Sequence, residues 1–238
     1  MPEPTSLADN KVMSRMRQLL AARGLDLPAG PIDDDPTPDE PGHPEYHRRQ
    51  RIAVALSRWE TATPYRYQQA TATHPQVTAW ADRAVADPRT AGILLLTGPF
   101  GTGKTHQAYG ALRRIAEAAV DNYAIVAMTA PDMYALLRPG GSDHGIQHEI
   151  KRLGSIPLLL IDDLGTEKIS EFTEEATYRL LNERYVESRP LIITTNLPAR
   201  APGQVDLLDK LGDRIVSRLA ESAVIVPFSG TDRRRDRS

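Results

Sequence analysis

The sequence predicts an α/β fold: a five-stranded parallel sheet flanked by helices, with a short helical extension ahead of it. Three observations lead there. Apolar runs of strand length alternate with helical patterns from residue 91 onward, and strands joined by helical crossovers pair in parallel and bury both faces. A glycine-rich stretch, residues 98–103, falls between the first such run and the first such helix. A proline-rich acidic stretch, residues 26–45, divides this region from the residues before it.

In chain order, Leu7, Val12, Met16, Leu19 and Leu20 recur at near-helical spacing and Gly24 follows as a C-cap, which predicts an amphipathic helix within residues 1–25. Residues 26–45 hold six prolines and seven carboxylates with no Lys or Arg. Such a stretch has nothing apolar to bury and favours extended chain, so it reads as a flexible linker. The extension is therefore expected to be tethered, not packed into the main core. Residues 46–63 form a helical lead-in, with a helix over 46–60. Pro64 opens the core, 64–230, whose first helix covers 77–86 and ends near Pro88. Strands are expected at 93–97, 123–128, 158–161, 191–195 and 223–227, and helices at 104–119, 131–138, 172–188 and 207–220. A basic tail, 231–238, closes the chain.

Composition excludes several classes. The chain has 238 residues, 40% of them hydrophobic, enough for an ordinary core. Its apolar runs fall far short of the roughly 18 residues a membrane span needs, and Met1 to Asn10 lacks a signal-peptide pattern, so a cytoplasmic protein without membrane contact is expected. With no cysteine there is no disulfide, thiolate zinc site, iron-sulfur cluster or cysteine nucleophile. Twenty-nine basic and 31 acidic residues give a net charge of −2, so binding to nucleic acid would need a local basic surface. Candidates are Lys11, Arg15, Arg17 and Arg23, then Arg48, Arg49 and Arg51, and the arginines at 233–235 and 237.

Gly98-Pro99-Phe100-Gly101-Thr102-Gly103-Lys104-Thr105 fits G-x-x-x-x-G-K-[ST], after a strand and at the start of a helix. Glycines let backbone N–H groups close around phosphates, the helix terminus adds positive potential, Lys104 reaches the β and γ phosphates, and the Thr105 hydroxyl ligates magnesium. Gly98 through Thr105 and the adjoining His106 are the candidate ATP-binding residues. A dinucleotide fingerprint, G-x-G-x-x-G, fails because Lys104, Thr105 and His106 follow Gly101-Thr102-Gly103. Leu158-Leu159-Leu160-Ile161-Asp162-Asp163 is a buried strand ending in two carboxylates at the carboxyl edge of the sheet, where open α/β folds bind ligands. Asp162 is the second candidate magnesium ligand, and Asp163 the group that orients or deprotonates an attacking water. The strand 191–195 ends in Asn196 at the same edge, placed to position that water or, read alone, a turn residue. Arg214 and Arg218 lie four apart on a predicted helix. They make either a solvated basic face or, at Arg218, a finger reaching the γ-phosphate bound by a neighbouring copy. His144 and His148 have a metal-ligand spacing without an evident third ligand.

These residues together resemble a family. The phosphate loop, LLLIDDLG at 158–165, Asn182-Glu183-Arg184-Tyr185, TTNL at 194–197, DRIVSRL at 213–219 and Gly230-Thr231-Asp232-Arg233-Arg234 look like the AAA+ core of DnaC-type helicase loaders and their IstB relatives. The likeness covers about 64–234, and Pro64-Tyr65-Arg66-Tyr67 resembles the family's approach to its adenine pocket. It implies a P-loop AAA+ ATPase with ATP and Mg²⁺ as cofactors that self-associates into an ATP-dependent ring or spiral. It further implies a grip on a DnaB-like replicative helicase through residues 1–25 and contact with single-stranded DNA through the core. In that mapping Asp162 and Asp163 are the Walker B pair, Asn196 is sensor 1, Arg218 the finger with Arg214 beside it, and Arg233 or Arg234 stands near sensor 2. Arg138, His148, Lys151 and Arg152 fall where the family's DNA-contacting helices fall, and an ordinary solvated helix face explains them as well. Two departures matter. Asp163 stands where many relatives carry Glu, which implies slow hydrolysis suited to a switch, and the N-terminal part lacks the cysteines of zinc-bearing loaders. Two other functions compete with a loader: a transposition helper of IstB type acting on duplex DNA, and a small-molecule P-loop kinase.

Overall fold

A computed structural model describes residues 15, 18–24, 36–165, 170–198, 206–207 and 211–230, with the side chains of Asp213, Arg214 and Arg218 outside that description. The chain divides into two compact units, 1–46 and 47–238. In the first, residues 18–21 are helical and a turn at 37–40 is closed by the Thr37 N–H, which donates to Glu40 Oε2 at 2.7 Å. Most of the expected N-terminal helix, residues 26–35 of the linker and the tail 231–238 lie outside the described residues. No helix among the described residues is long and apolar enough to cross a membrane.

The helix α1 (Pro44–Ala62) runs across the boundary between the units. In the second unit follow α2 (Pro75–Ala86), the single turn α3 (Pro88–Ala91), β1 (Ile93–Thr97), α4 (Lys104–Glu117), β2 (Ile125–Thr129), α5 (Ala130–Leu137), α6 (Ile146–Ser155), β3 (Leu158–Asp162), α7 (Glu171–Val186), β4 (Leu191–Thr195), α8 (Asp213–Ser222) and β5 (Ala223–Pro227). Several starts have a local cause. Pro75, Pro88 and Pro131 occupy the first turns of α2, α3 and α5, where a missing N–H costs nothing. Asp87 Oδ1 caps α3 by accepting from the Arg89 N–H at 3.0 Å, and Ser170 and Thr173 form a reciprocal cap on α7.

All five strands are parallel, in the order β2-β3-β4-β1-β5. Side chains alternate across the sheet. Leu94, Leu96, Leu158, Leu160, Ile192 and Val226 pack with Trp59, Trp80, Leu112 and Ile115 of α1, α2 and α4. Ile93, Leu95, Leu159, Ile161, Leu191 and Ile193 pack with Met133, Leu137, Leu153, Leu180, Ile215 and Leu219 of α5 to α8. With both faces buried, the inner strands β1, β3 and β4 read as nearly continuous apolar runs.

Three expectations shift. The helix expected over 207–220 is interrupted at Gly212, whose φ of 77° is not helical, so α8 starts at Asp213 and runs on to Ser222. The second strand starts two residues late: Asn122 has φ 54°, and the buried Tyr123 instead turns its hydroxyl to the Leu112 carbonyl at 3.0 Å. The helix α6 falls outside the expected helical ranges because Gly145 precedes it and Gly154 lies within it. Gly154 is there for contact: a Cβ at that position would stand 2.4 Å from Glu183 Cγ of α7.

Candidate nucleotide-binding site

The strand order sets the site. With β4 between β1 and β3, the loops leaving three adjacent strands meet at one edge. Gly98, Gly101 and Gly103 have φ of 129°, 75° and 97°, conformations that L side chains rarely adopt. At Gly98 space decides as well, since a Cβ would lie 2.0 Å from the Phe228 carbonyl, whose own N–H ties β5 to Thr97. The loop delivers Lys104 to the first turn of α4. Lys104 is only 5% exposed, and its ammonium donates to the Gly98 and Pro99 carbonyls at 2.7 Å each and to Asn196 Oδ1 at 3.0 Å.

Asn196 carries the network on: its Nδ2 donates to Asp163 Oδ1 at 2.9 Å. Beside that path, Asp162 Oδ1 accepts from Thr105 Oγ1 at 3.0 Å and from Thr194 Oγ1 at 2.5 Å. Burial lifts the Asp162 pKa above the ordinary carboxylate value; the Thr194 hydrogen bond works against that rise, Asp163 adds to it, and Thr105 and Lys104 oppose it. The residues Arg66, Tyr67, Gly101, Gly103, Lys104, Thr105, His106, Gln107, Asp163 and Asn196 line a cavity of about 400 Å³. Thus the structure brings Lys104, Thr105, His106, Asp162, Asp163 and Asn196 together from three loops. Among the other candidates, Gly98 and Pro99 serve through their carbonyls, and Thr102 is buried with its hydroxyl on the Pro99 carbonyl at 2.9 Å. Phe100 points outward at 61% exposure. Arg214 and Arg218 lie on α8, and Arg233 and Arg234 fall outside the described residues.

Arg66 and Tyr67, from the segment whose sequence resembles an approach to an adenine pocket, complete the walls together with residues not singled out in the sequence. The Tyr67 ring stacks on Tyr109 of α4 with centroids 5.1 Å apart and planes 13° from parallel, and the Arg66 guanidinium lies 5.9 Å from the Tyr67 centroid. Gln107 Oε1 accepts from the Thr73 and His74 N–H groups at 2.9 and 3.0 Å, holding the segment before α2 against α4. That crossing is close: a Cβ at Gly110 would stand 2.3 Å from Ala72 N. Gln107 and Gly110, three apart on the phosphate-loop helix, carry a spacing signal for one face, but nothing local says what covers it. Of the candidate DNA-binding cations, Arg152 donates from Nε to the buried Glu149 at 2.7 Å and Arg138 lies 5.9 Å from the Phe172 ring centroid.

Among the described residues no group of three or more His, Cys, Asp or Glu is placed to hold a metal. The donors present, one hydroxyl and one carboxylate 3.0 Å apart, suit magnesium, which takes few protein ligands and completes its shell with phosphate oxygens and water. The residues therefore fit Mg²⁺ at Thr105 and Asp162, and a triphosphate along the loop from Gly101 to Thr105.

Residues 45–238 match the family described as IstB-like ATP binding protein. The chain belongs to that family. Among relatives of this IstB-family chain, one named as an insertion sequence ATP-binding protein, y4pL of Sinorhizobium fredii, is 29% identical over 143 residues, 60% of this chain and 57% of that protein. Another, named as an ATP-binding protein of insertion sequence IS232 of Bacillus thuringiensis, is 27% identical over 137 residues, 58% of this chain and 53% of that one. The match thus spans little more than half the length of these curated relatives. Among solved structures, the DnaC helicase loader superposes with a TM-score of 0.56 at 24% identity, over 70% of this chain and 100% of that one. At that identity the likeness speaks for the fold, a P-loop AAA+ core with a five-stranded parallel sheet.

Proposed function

We propose that this IstB-family chain is a magnesium-dependent ATPase that assembles on duplex DNA in the service of an insertion-sequence transposase. The observation that carries the ATPase part is the hydrogen-bonded path from Lys104 through Asn196 to Asp163, with Thr105 and Asp162 paired beside it. The insertion-sequence names of the relatives support the transposase part.

The chemistry follows from what each side chain can do. Bound magnesium would neutralise charge on the β- and γ-phosphate oxygens. Lys104, already at the mouth of the loop, donates to those oxygens. Asp163 accepts a proton from water as the water oxygen bonds to the γ-phosphorus and the bond to the β-γ bridging oxygen breaks, leaving ADP and phosphate. Asn196, held between Lys104 and Asp163, fixes the direction of attack. The Asp163 carboxylate sits one methylene closer to the backbone than a Glu would place it, which makes hydrolysis slow. Arg218 of a neighbouring copy supplies the remaining positive charge. Arg218→Ala is expected to keep ATP affinity and to lower turnover at least about a thousandfold. Mixing that variant with Asp163→Asn restores part of the activity, because each chain lends what the other lacks; failure of the mixture to recover would place Arg218 outside a shared site.

A second reading, loading of a DnaB-like replicative helicase onto single-stranded DNA, is favoured by the basic amphipathic residues 1–25 tethered through an acidic linker. Light scattering on a sizing column separates the two. The full chain is run with and without ATP, on duplex and single-stranded DNA, and with the helicase of its host. ATP-dependent assemblies on duplex DNA without helicase uptake support the transposition reading. Co-elution with the helicase, lost when residues 1–25 are deleted, would replace it with the loader.

A further inference from the structure

We infer that Thr194 is a positioning residue for ATP hydrolysis: its hydroxyl bridges the Asp162 carboxylate and the Asp163 backbone, so that β4 sets the geometry of both acidic residues. The inference rests on the ATPase reading above and adds a residue to it. Thr194 is fully buried in β4, directly paired with Leu96 of the phosphate-loop strand. A threonine hydroxyl has one proton and two lone pairs, and both functions are used: it donates to Asp162 Oδ1 at 2.5 Å and accepts from the Asp163 N–H at 2.9 Å. The Thr194 carbonyl accepts from the Leu164 N–H at 2.9 Å, so one residue of β4 holds three consecutive residues at the end of β3.

What it holds is strained. Asp163 has φ 58°, a left-handed conformation that is uncommon for a non-glycine residue and persists where surrounding contacts impose it. That conformation turns the Asp163 side chain to Asn196 and into the cavity wall. On the other side, Asp162 Oδ1 takes hydrogen bonds from Thr105 and Thr194, so the proposed magnesium ligand is aimed by one hydroxyl from the nucleotide helix and one from the sheet. A β-branched side chain inside a buried strand has few χ1 rotamers open to it, which suits a group whose work is aim. Asn196, two residues on, is the conspicuous polar residue of this strand end, and Thr194 is the one beneath it that touches both acids.

The test compares Thr194→Val, which keeps the shape and removes the hydroxyl, with Thr194→Ser, which keeps the hydroxyl, in the full chain. Binding of a fluorescent ATP analogue is measured in EDTA and in Mg²⁺, Mn²⁺ affinity of the nucleotide complex by electron paramagnetic resonance, and folding by thermal melting. Loss of an outer-shell partner costs about 10–100-fold in metal affinity or activity. Thr194→Val is expected to lower Mn²⁺ affinity about tenfold or more and turnover with it, with affinity in EDTA and the KM for ATP little changed, and Thr194→Ser to recover both. If Thr194→Val melts early, Thr194→Ala must show the same selective loss of Mn²⁺ affinity. Equal Mn²⁺ affinity in the Val, Ser and wild-type chains overturns the inference, as does an equal loss of nucleotide affinity with and without metal. A wild-type chain with no metal-dependent affinity and no turnover would instead overturn the ATPase reading itself.

Discussion

At the carboxyl ends of the strands a buried lysine, Lys104, donates to two carbonyls and to Asn196, in contact with a cavity of about 400 Å³. At the amino ends a buried arginine, Arg184 of α7, donates to the carbonyls of Leu153, Gly154 and Ile156 before β3 and of Pro190 before β4. The two cations are equally hidden, at 5% and 1% exposure. Burial, and then the charge of Arg189, lowers the Arg184 pKa; carbonyls take up its Nη1 and Nη2 donors, while Nε is buried without a hydrogen-bond partner. The difference lies in what each faces. Arg184 closes the end of α6, where the helix dipole favours a cation, and ties it to the next strand, so it is a brace. Lys104 faces space that a phosphate can enter. A buried charge marks a site only where a cavity meets it.

Substitutions can break this comparison at either end. The largest effect on folding is expected for Arg184→Leu, which leaves three or four carbonyls without a donor: a loss of about 3–5 kcal/mol, read as a fall of about 10 °C or more in melting temperature. An unchanged melting temperature would deny that Arg184 braces the sheet. Lys104→Ala is expected to reverse the balance. ATP affinity falls about a hundredfold or more, near 2.7 kcal/mol, while melting shifts by a few degrees at most because water from the cavity reaches the groups Lys104 leaves. Gly110→Ala probes the segment at 71–74 that crosses α4. Its methyl must push the segment at Thr71 and Ala72 off α4, costing about 1–3 kcal/mol of stability, and because Gln107 anchors the same segment beside Tyr67, ATP affinity falls with it.

The sequence made the phosphate loop, Asp162, Asp163 and Asn196 legible because each is a local pattern: a glycine spacing, or a buried apolar run ending in a polar group. It made four of the five strands legible nearly to the residue for the same reason, since stretches such as 93–96 and 191–193 are apolar throughout when both faces are covered. Thr194, Gln107, Gly110 and Arg184 were not legible as parts of a site or brace. Each acts through at least one partner 28 or more residues away along the chain, and packing between elements, not spacing, brings those partners together. Likewise α6 hid behind Gly145, which has φ 79°, and Gly154, whose reason is the close approach of α7.

The central claim is that the path from Lys104 through Asn196 ends on the group that activates water. Phosphate release from γ-labelled ATP in a single turnover, with Mg²⁺, tests it most directly in the wild-type chain and in Asp163→Asn. The account predicts unchanged ATP affinity and release at least about a hundredfold slower in the variant, in the range that removal of a general base costs. Release at the wild-type rate from Asp163→Asn would contradict it.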